Sequence, residues 1–325
     1  MRGYAYALLG AALFGLNGTV TKVVVTSGLT GAQLTFFRTL SVMLIAGAWL
    51  LFTDRAAFRI SRKQLGMLAL LGVVGVALMQ WSYSMAVSIL PVGIALLIEY
   101  MEVLLVALVA RFVFKEAVKA RVWAAVAFVI VGLVLVGKVW ASSLNPAGVL
   151  FAAMAALTLT VYFVVGQRQV SASSPMAVAF WSMLFAWGFW LLFSGWWNLS
   201  PATLTQQVPL EGNLEGLQLP IWILVLWIGV VGSFLPFLLS FLALRHLPAT
   251  PTGIISSAEV IFAFLVAYVW LGEALEQVQL LGVVLVMIGI LLAQTARRRG
   301  TVEAQGPSAG MDSDPRVSAR SNEPR

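Results

Sequence analysis

Hydrophobic residues run along most of this chain in stretches of about 20, separated by short polar connections. A helix of that length crosses the ~30 Å hydrocarbon core of a bilayer. Charged residues are largely confined to the connections, so the pattern predicts membrane-spanning helices. We predict ten spans, at residues 4–26, 31–52, 65–87, 91–112, 120–138, 147–166, 175–196, 219–244, 249–271 and 277–296.

The second half of the chain repeats the first. When residue n is aligned with residue n+157, the two stretches pair without a gap from about Gly72 to Gly132, whereas Gly3 meets Gly148 at an offset of 145. An odd number of spans in each repeat inverts the second copy in the bilayer. The matched pairs include Gly72 and Gly229, Gly75 and Gly232, Leu90-Pro91 and Leu247-Pro248, Glu102 and Glu259, and Glu116 and Glu273.

The repeat and the spans together predict the fold class. We expect an all-α integral membrane protein with ten transmembrane helices arranged as two inverted five-helix repeats. The repeats cover residues 1–140 and 141–298. The remaining residues, 299–325, are rich in Ser, Pro, Gly and charge without an apolar period, which predicts a disordered cytoplasmic tail.

Composition excludes several functional classes. Of 325 residues, 61% are hydrophobic and 10% are charged, against roughly a quarter charged in soluble domains. The chain has no cysteine and one histidine, so no metal site and no cofactor are expected. No Walker A sequence and no Ser/His/Asp set is evident, so we predict neither catalytic residues nor an enzyme. The net charge is +7, but the basic residues form short clusters between the predicted helices and no continuous stripe, which argues against nucleic acid as a partner.

The basic residues predict the orientation. They concentrate in alternate connections, as the positive-inside rule requires, and the first apolar stretch is too long for a cleaved signal peptide. We therefore expect a multi-pass protein of the plasma or inner membrane with both termini in the cytoplasm. The basic positions that decide this are Arg55, Arg59, Arg62, Lys63, Arg111, Lys115, Lys119, Arg121, Arg168, Arg245 and Arg297-Arg298-Arg299.

Three carboxylates fall inside predicted spans. Glu102 and Glu259 lie about ten residues into their spans, near the bilayer centre, and Glu99 lies one helical turn from Glu102 on the same face. A charge at that depth costs ~2.5–3.5 kcal/mol on insertion scales, so such residues usually face a cavity. We predict a substrate or proton site, with a purely structural hydrogen-bonding role as the alternative.

Arg38 is the expected cationic partner of these carboxylates. Its depth in the second span, ~10–12 Å, matches that of Glu99. Arg38 therefore either pairs with Glu99 or contacts a carboxylate of the substrate. Lys22, nearer the end of the first span, is expected to snorkel to the headgroups and to take no part in the site.

Four further residues are weaker candidates. Tyr83, Trp81 and Tyr100 could line a central cavity, although membrane-interface belts explain most aromatics in such a chain. Asn17, between Gly15 and Gly18, could hydrogen-bond across the helix bundle.

Several short motifs resemble a known family. Ala258-Glu259-Val260-Ile261-Phe262-Ala263 with Leu271-Gly272-Glu273, and Ala243-Leu244-Arg245-His246-Leu247-Pro248-Ala249, resemble the EamA-type carriers of the drug/metabolite transporter superfamily. Within it, Leu90-Pro91-Val92-Gly93-Ile94-Ala95, Ile98-Glu99-Tyr100 and Gly166-Gln167-Arg168 are similar to the threonine/homoserine exporter branch. The sequence departs from the family pattern because valine, not proline, follows both glutamates, at Val103 and Val260. It departs from the branch because Glu102 stands where that branch usually has a small residue.

The resemblance implies a secondary active exporter of small metabolites such as amino acids, coupled to protons. An efflux carrier for drugs and organic cations is the alternative, because three carboxylates suit a cation. An intramembrane enzyme or scaffold is a remote alternative. The expected partners are a small-molecule substrate and the lipid bilayer, and a homodimer stays open.

Overall fold

The computed structural model describes residues 2–112, 120–137, 144–244, 246 and 255–303, and these are mostly helical. Six helices within them are long and apolar enough to cross a membrane. Three shorter apolar helices accompany them, at Trp123–Val136, Ala258–Leu271 and Gln277–Leu292. Some residues that the sequence analysis singles out lie outside the described residues, namely Lys115, Glu116, Lys119, Arg245, Leu247, Pro248 and Ala249.

The helices follow one another with short connections. In chain order they are α1 (Arg2–Thr26), α2 (Gly31–Thr53), α3 (Arg62–Leu70), α4 (Met79–Ile89), α5 (Val92–Glu99), α6 (Glu102–Phe112), α7 (Ala120–Gly137), α8 (Pro146–Ala172), α9 (Pro175–Phe193), α10 (Pro201–Thr205), α11 (Ile221–Gly229), α12 (Leu235–Leu244), α13 (Ala258–Val266) and α14 (Gln277–Glu303). Short 3₁₀ turns occur at Arg55–Phe58, Trp196–Asn198 and Gly212–Leu214, and π-helical segments at Leu71–Leu78, Val230–Phe234 and Ala267–Leu271.

Capping residues explain where several helices begin. Thr30 accepts a hydrogen bond from the backbone of Gln33, whose side chain bonds back to the Thr30 N–H in a capping box. The side chains of Asn145 and Ser174 each accept a backbone N–H at the start of α8 and α9, and a proline follows each of them. These residues satisfy orphan N–H groups at helix ends, where lipid could not.

The two predicted spans that carry midplane glutamates are not continuous helices. The span expected at 91–112 is interrupted by Tyr100 and Met101, and Glu102 then begins α6. The span expected at 249–271 has a turn at Ser257 just before α13 and Glu259. The two breaks lie 157 residues apart, so they occupy matching positions in the sequence repeat. Each glutamate therefore lies in the first turn of a new helix, where the macrodipole favours negative charge.

The all-α prediction misses one element. Strands β1 (Gln207–Pro209) and β2 (Gln218–Pro220) pair antiparallel between α10 and α11. This hairpin is tied to the end of the bundle, since the Trp270 indole donates to the Leu210 carbonyl and Asn213 donates to the Val269 carbonyl. We call this end of the bundle the hairpin end. Backbone pairing satisfies polar groups that a long loop over apolar helices would leave exposed.

Close packing holds α7 against α14. A Cβ on Gly132 would lie 2.6 Å from the carbonyl oxygen of Gly282, and one on Gly289 would lie 2.8 Å from that of Ala125. Small residues of this kind let membrane helices approach to backbone contact. The last helix, α14, extends to Glu303, past residue 299, at which the sequence predicts the tail to begin.

Candidate functional site

The side chain of Arg38 crosses from α2 to the π-helical segment Val230–Phe234. Its Nε donates a hydrogen bond to Oγ of Ser233 over 2.6 Å. Both side chains are buried, Arg38 with 8% of its surface exposed and Ser233 with none. A guanidinium inside a helix bundle is costly unless it is paired, so this contact marks a polar interior.

A second polar contact joins the two broken helices. The hydroxyl of Tyr100 donates to Oε2 of Glu259 over 2.9 Å. Tyr100 lies in the break between α5 and α6, and Glu259 lies just after the break before α13. The bond therefore links the matching breaks of the two sequence repeats.

Electrostatic interactions connect these two contacts into one cluster. Glu99 interacts with Glu259, with Arg38 and with Glu102. Glu99 and Glu102 are buried, whereas Glu259 is half-buried. Within the described ranges no three acidic or histidine side chains are close enough together to hold a metal ion. The charged side chains of the cluster therefore interact electrostatically in the interior of the helix bundle.

The direct pair expected between Arg38 and Glu99 is not formed. Both residues lie in the described part of the chain, and no hydrogen bond or ion pair joins them. Arg38 bonds to Ser233 instead, and it interacts with Glu99 and Glu259 at longer range. The other predicted role of Arg38, contact with a carboxylate of the substrate, stays a prediction.

Asn17 and Tyr83 lie beside this cluster. The Oδ1 atom of Asn17 faces Gly232, next to Ser233, and is buried without a hydrogen-bond partner in the described structure. Tyr83 is buried, and it interacts electrostatically with Arg38. Its hydroxyl occupies the space that a side chain at Gly18 would need.

Trp81 lies elsewhere. Its indole makes an edge contact with the ring of Phe151, with centroids 5.6 Å apart, and a tilted contact with Trp190 at 6.2 Å. The rings of Trp81 and Trp190 belong to an apolar cluster that includes Met183 and Val76. The structure therefore separates Trp81 from the other candidates, which it brings together.

Lys22 does not snorkel, and this expectation from the sequence is wrong. Its ammonium forms an ion pair with Oε1 of Glu273 and also donates to the carbonyl of Leu90 over 3.3 Å. The other oxygen of Glu273 accepts the N–H of Val92 at the start of α5, over 2.9 Å. The pair joins α1, the α4–α5 connection and the segment after α13 at the hairpin end.

The sequence analysis did not identify Ser233 as the partner of Arg38 or Glu273 as the partner of Lys22. Ser233 had a usable signal, because the matching position of the first repeat is the apolar residue Val76. Glu273 could not be recognised from the sequence in this way, because a carboxylate just after a span usually faces water. Only the folded structure shows that Glu273 contacts Lys22, because the two residues are 251 positions apart in the sequence.

Comparisons with known proteins agree with the helical membrane fold. The sequence profile of the EamA-like transporter family matches residues 1–138 and 146–295. An uncharacterized transporter of Archaeoglobus fulgidus is 26% identical over 291 residues, 90% of this chain and 96% of that protein. A protein of known crystal structure shares the fold with a TM-score of 0.59, at 19% identity, over 91% of this chain and 98% of its own.

Apolar helices that enclose buried charges define a multi-pass membrane protein of the transporter class. The chain belongs to the EamA-like transporter family. This membership, which the family match establishes, makes the polar cluster of Arg38, Ser233, Glu99, Tyr100 and Glu259 the candidate substrate site.

Proposed function

We propose that the protein is a secondary active exporter of small metabolites such as amino acids, driven by the proton gradient. The observation that carries this proposal is the interior cluster in which Arg38 and Glu99 interact electrostatically with each other and with Glu259, so that helices of both halves of the chain contribute charges. A guanidinium binds carboxylates, and carboxylates bind ammonium groups or protons. Such a cluster can therefore hold a zwitterion and exchange a proton.

Alternating access would follow from two inverted five-helix repeats that rock around the cluster. The matching breaks before Glu102 and Glu259 support this arrangement, because discontinuous helices are typical of sites at a repeat interface. The basic connections at the end opposite the hairpin, which include Arg55, Arg62 and Arg168, support a cytoplasmic location for that end and for both termini. The hairpin end would then face the outside of the inner membrane.

Efflux of organic cations is the second candidate function. Glu99, Glu102 and Glu259 outnumber Arg38 as charges of the cluster. A hydrophobic cation needs a carboxylate and aromatic rings, and it gains nothing from a guanidinium. Loss of Arg38 should therefore abolish amino acid transport but spare cation transport.

The test uses the full chain in liposomes loaded with radiolabelled L-threonine or tetraphenylphosphonium, with and without an imposed pH gradient. We expect gradient-driven movement of L-threonine that falls in Glu99→Gln, Glu102→Gln and Glu259→Gln at equal protein content. Movement of tetraphenylphosphonium alone would favour cation efflux. Unchanged transport in all three variants would remove the carboxylates from the mechanism, and transport indifferent to the pH gradient would remove proton coupling.

A further inference from the structure

The hydroxyl of Ser233 has a defined hydrogen-bond direction. Its Oγ donates to the carbonyl oxygen of Ile228 over 2.7 Å, and a hydroxyl has a single proton to donate. Toward Nε of Arg38, which is an obligate donor, the same oxygen can only accept. The bonds therefore run one way, from the guanidinium through the hydroxyl to the backbone of α11.

Ser233 reaches both partners because of its local backbone. It lies in the π-helical segment Val230–Phe234, where each turn brings a residue over the carbonyl five positions earlier. Gly229, the residue just before this segment, admits the neighbouring helix, since a side chain at this position would clash with Ser41 of α2. Arg38 is carried by α2, so this close approach brings its side chain within reach of Ser233.

The guanidinium of Arg38 is consequently held by one edge. With Nε engaged, its two Nη groups keep four N–H donors, and none of these bonds to the described part of the chain. The Nη atoms are also not among the polar atoms sealed from solvent. A planar edge of this kind matches a carboxylate through two parallel N–H···O bonds.

This anchor occurs in one half of the chain only. The position that matches Ser233 in the first repeat is Val76, which is buried in an apolar cluster with Met183 and Trp190. A serine required merely for helix packing would be expected in both halves. Its restriction to the half that faces Arg38 points to a role specific to that guanidinium.

We propose that Ser233 is a positioning residue, which orients Arg38 so that its Nη edge receives the carboxylate of the substrate. The inference rests on the proposed transport function and adds a determinant of specificity. Substrates with a free carboxylate are favoured over the corresponding amides, because an amide offers Arg38 no charge and only one acceptor oxygen.

Ligand binding to the purified full chain tests this. Thermal stabilisation at graded ligand concentrations gives dissociation constants for L-threonine and for L-threonine amide. The wild type should prefer the acid. Ser233→Ala should weaken binding of the acid about tenfold, equivalent to ~1.4 kcal/mol, and leave the amide unchanged. Ser233→Thr, which keeps the hydroxyl, should retain the preference.

Ser240→Ala is the matched control, since Ser240 lies on α12 of the same span and donates only to the carbonyl of Pro236. It should leave both ligands unaffected. Should Ser233→Ala be unstable, Ser233→Cys keeps the volume but is a poor acceptor, and it should lose the preference likewise. An equal loss for acid and amide, or no loss in either variant, overturns the positioning role while transport stands. A wild type that binds and transports neither ligand overturns the amino acid function, and this inference with it.

Discussion

Lys22 and Glu273 form an ion pair at the hairpin end of the bundle. The pair connects the last turns of α1 with the segment after α13, and the second carboxylate oxygen of Glu273 caps the first N–H of α5. Thr26, one turn beyond Lys22, adds a hydrogen bond to Glu211 beside the hairpin. Three parts of the chain are therefore held together at the hairpin end.

Breaking this pair should destabilise the protein in a graded way. Glu273→Ala removes both the ion pair and the cap of α5, whereas Glu273→Gln keeps an acceptor for the Val92 N–H. We expect melting temperatures in the order wild type, Glu273→Gln, Glu273→Ala, because an unpaired and partly buried charge costs more than a surface charge. The double variant Lys22→Met/Glu273→Gln should recover part of the loss. Equal melting temperatures for all four proteins would contradict the prediction.

The same pair should control access from the hairpin end. The chain has no cysteine, so a single Thr21→Cys substitution reports on one position. Thr21 is fully buried on α1 beside Lys22, and its hydroxyl has no hydrogen-bond partner in the described structure. Labelling of this cysteine by a charged thiol reagent should accelerate when Lys22→Met is added. A labelling rate indifferent to Lys22 would mean that the pair does not hold this end closed.

The bond between Tyr100 and Glu259 should matter for transport. Tyr100→Phe leaves the ring and removes one hydrogen bond to a carboxylate, which costs about 1.5–3 kcal/mol where the partner is charged. We expect a clear fall in transport rate at equal protein abundance. Tyr162→Phe is the control, because the Tyr162 hydroxyl has no hydrogen-bond partner in the described structure and its ring packs in an apolar cluster. Equal behaviour of the two variants would show that the bond is dispensable.

Exchanging the charges of Arg38 and Glu99 should not restore function. A direct ion pair tolerates reversal, but these two side chains interact at longer range, and Arg38 depends on Ser233. The variant Arg38→Glu/Glu99→Arg should therefore transport no better than either single variant, as measured by L-threonine flux in liposomes. Recovery to half of the wild-type rate or more would argue for a direct structural pair.

Packing between α7 and α14 should be sensitive to one methyl group. Gly132→Ala places a Cβ 2.6 Å from the Gly282 carbonyl, and overpacking of this kind costs roughly 1–3 kcal/mol. Gly188→Ala on α9 meets no atom within 4 Å and should be neutral or slightly stabilising, because alanine favours a helix by about 1 kcal/mol. Melting curves of the two variants in the same detergent check the difference. Equal melting temperatures would mean that α7 and α14 are not packed as closely as described.

The sequence by itself determined the membrane-spanning character of the chain and the transporter family. A bilayer requires apolar helices of about 20 residues, and each hydrophobic segment of the sequence meets this requirement by itself. The sequence also identified Arg38, Glu99 and Glu259 as candidate site residues, because charged residues inside membrane spans are costly and therefore rare.

Only the tertiary structure decided how these residues are paired. The breaks before Glu102 and Glu259, the π-helical segment around Ser233 and the hairpin at Gln207–Pro220 leave no periodic signal in the sequence. Lys22 finds Glu273 and Arg38 finds Ser233 across 251 and 195 positions, so no local pattern contains either pair. Local propensity sets which segments are helical, but the partner of a buried charge is set by helix packing, which depends on the whole chain.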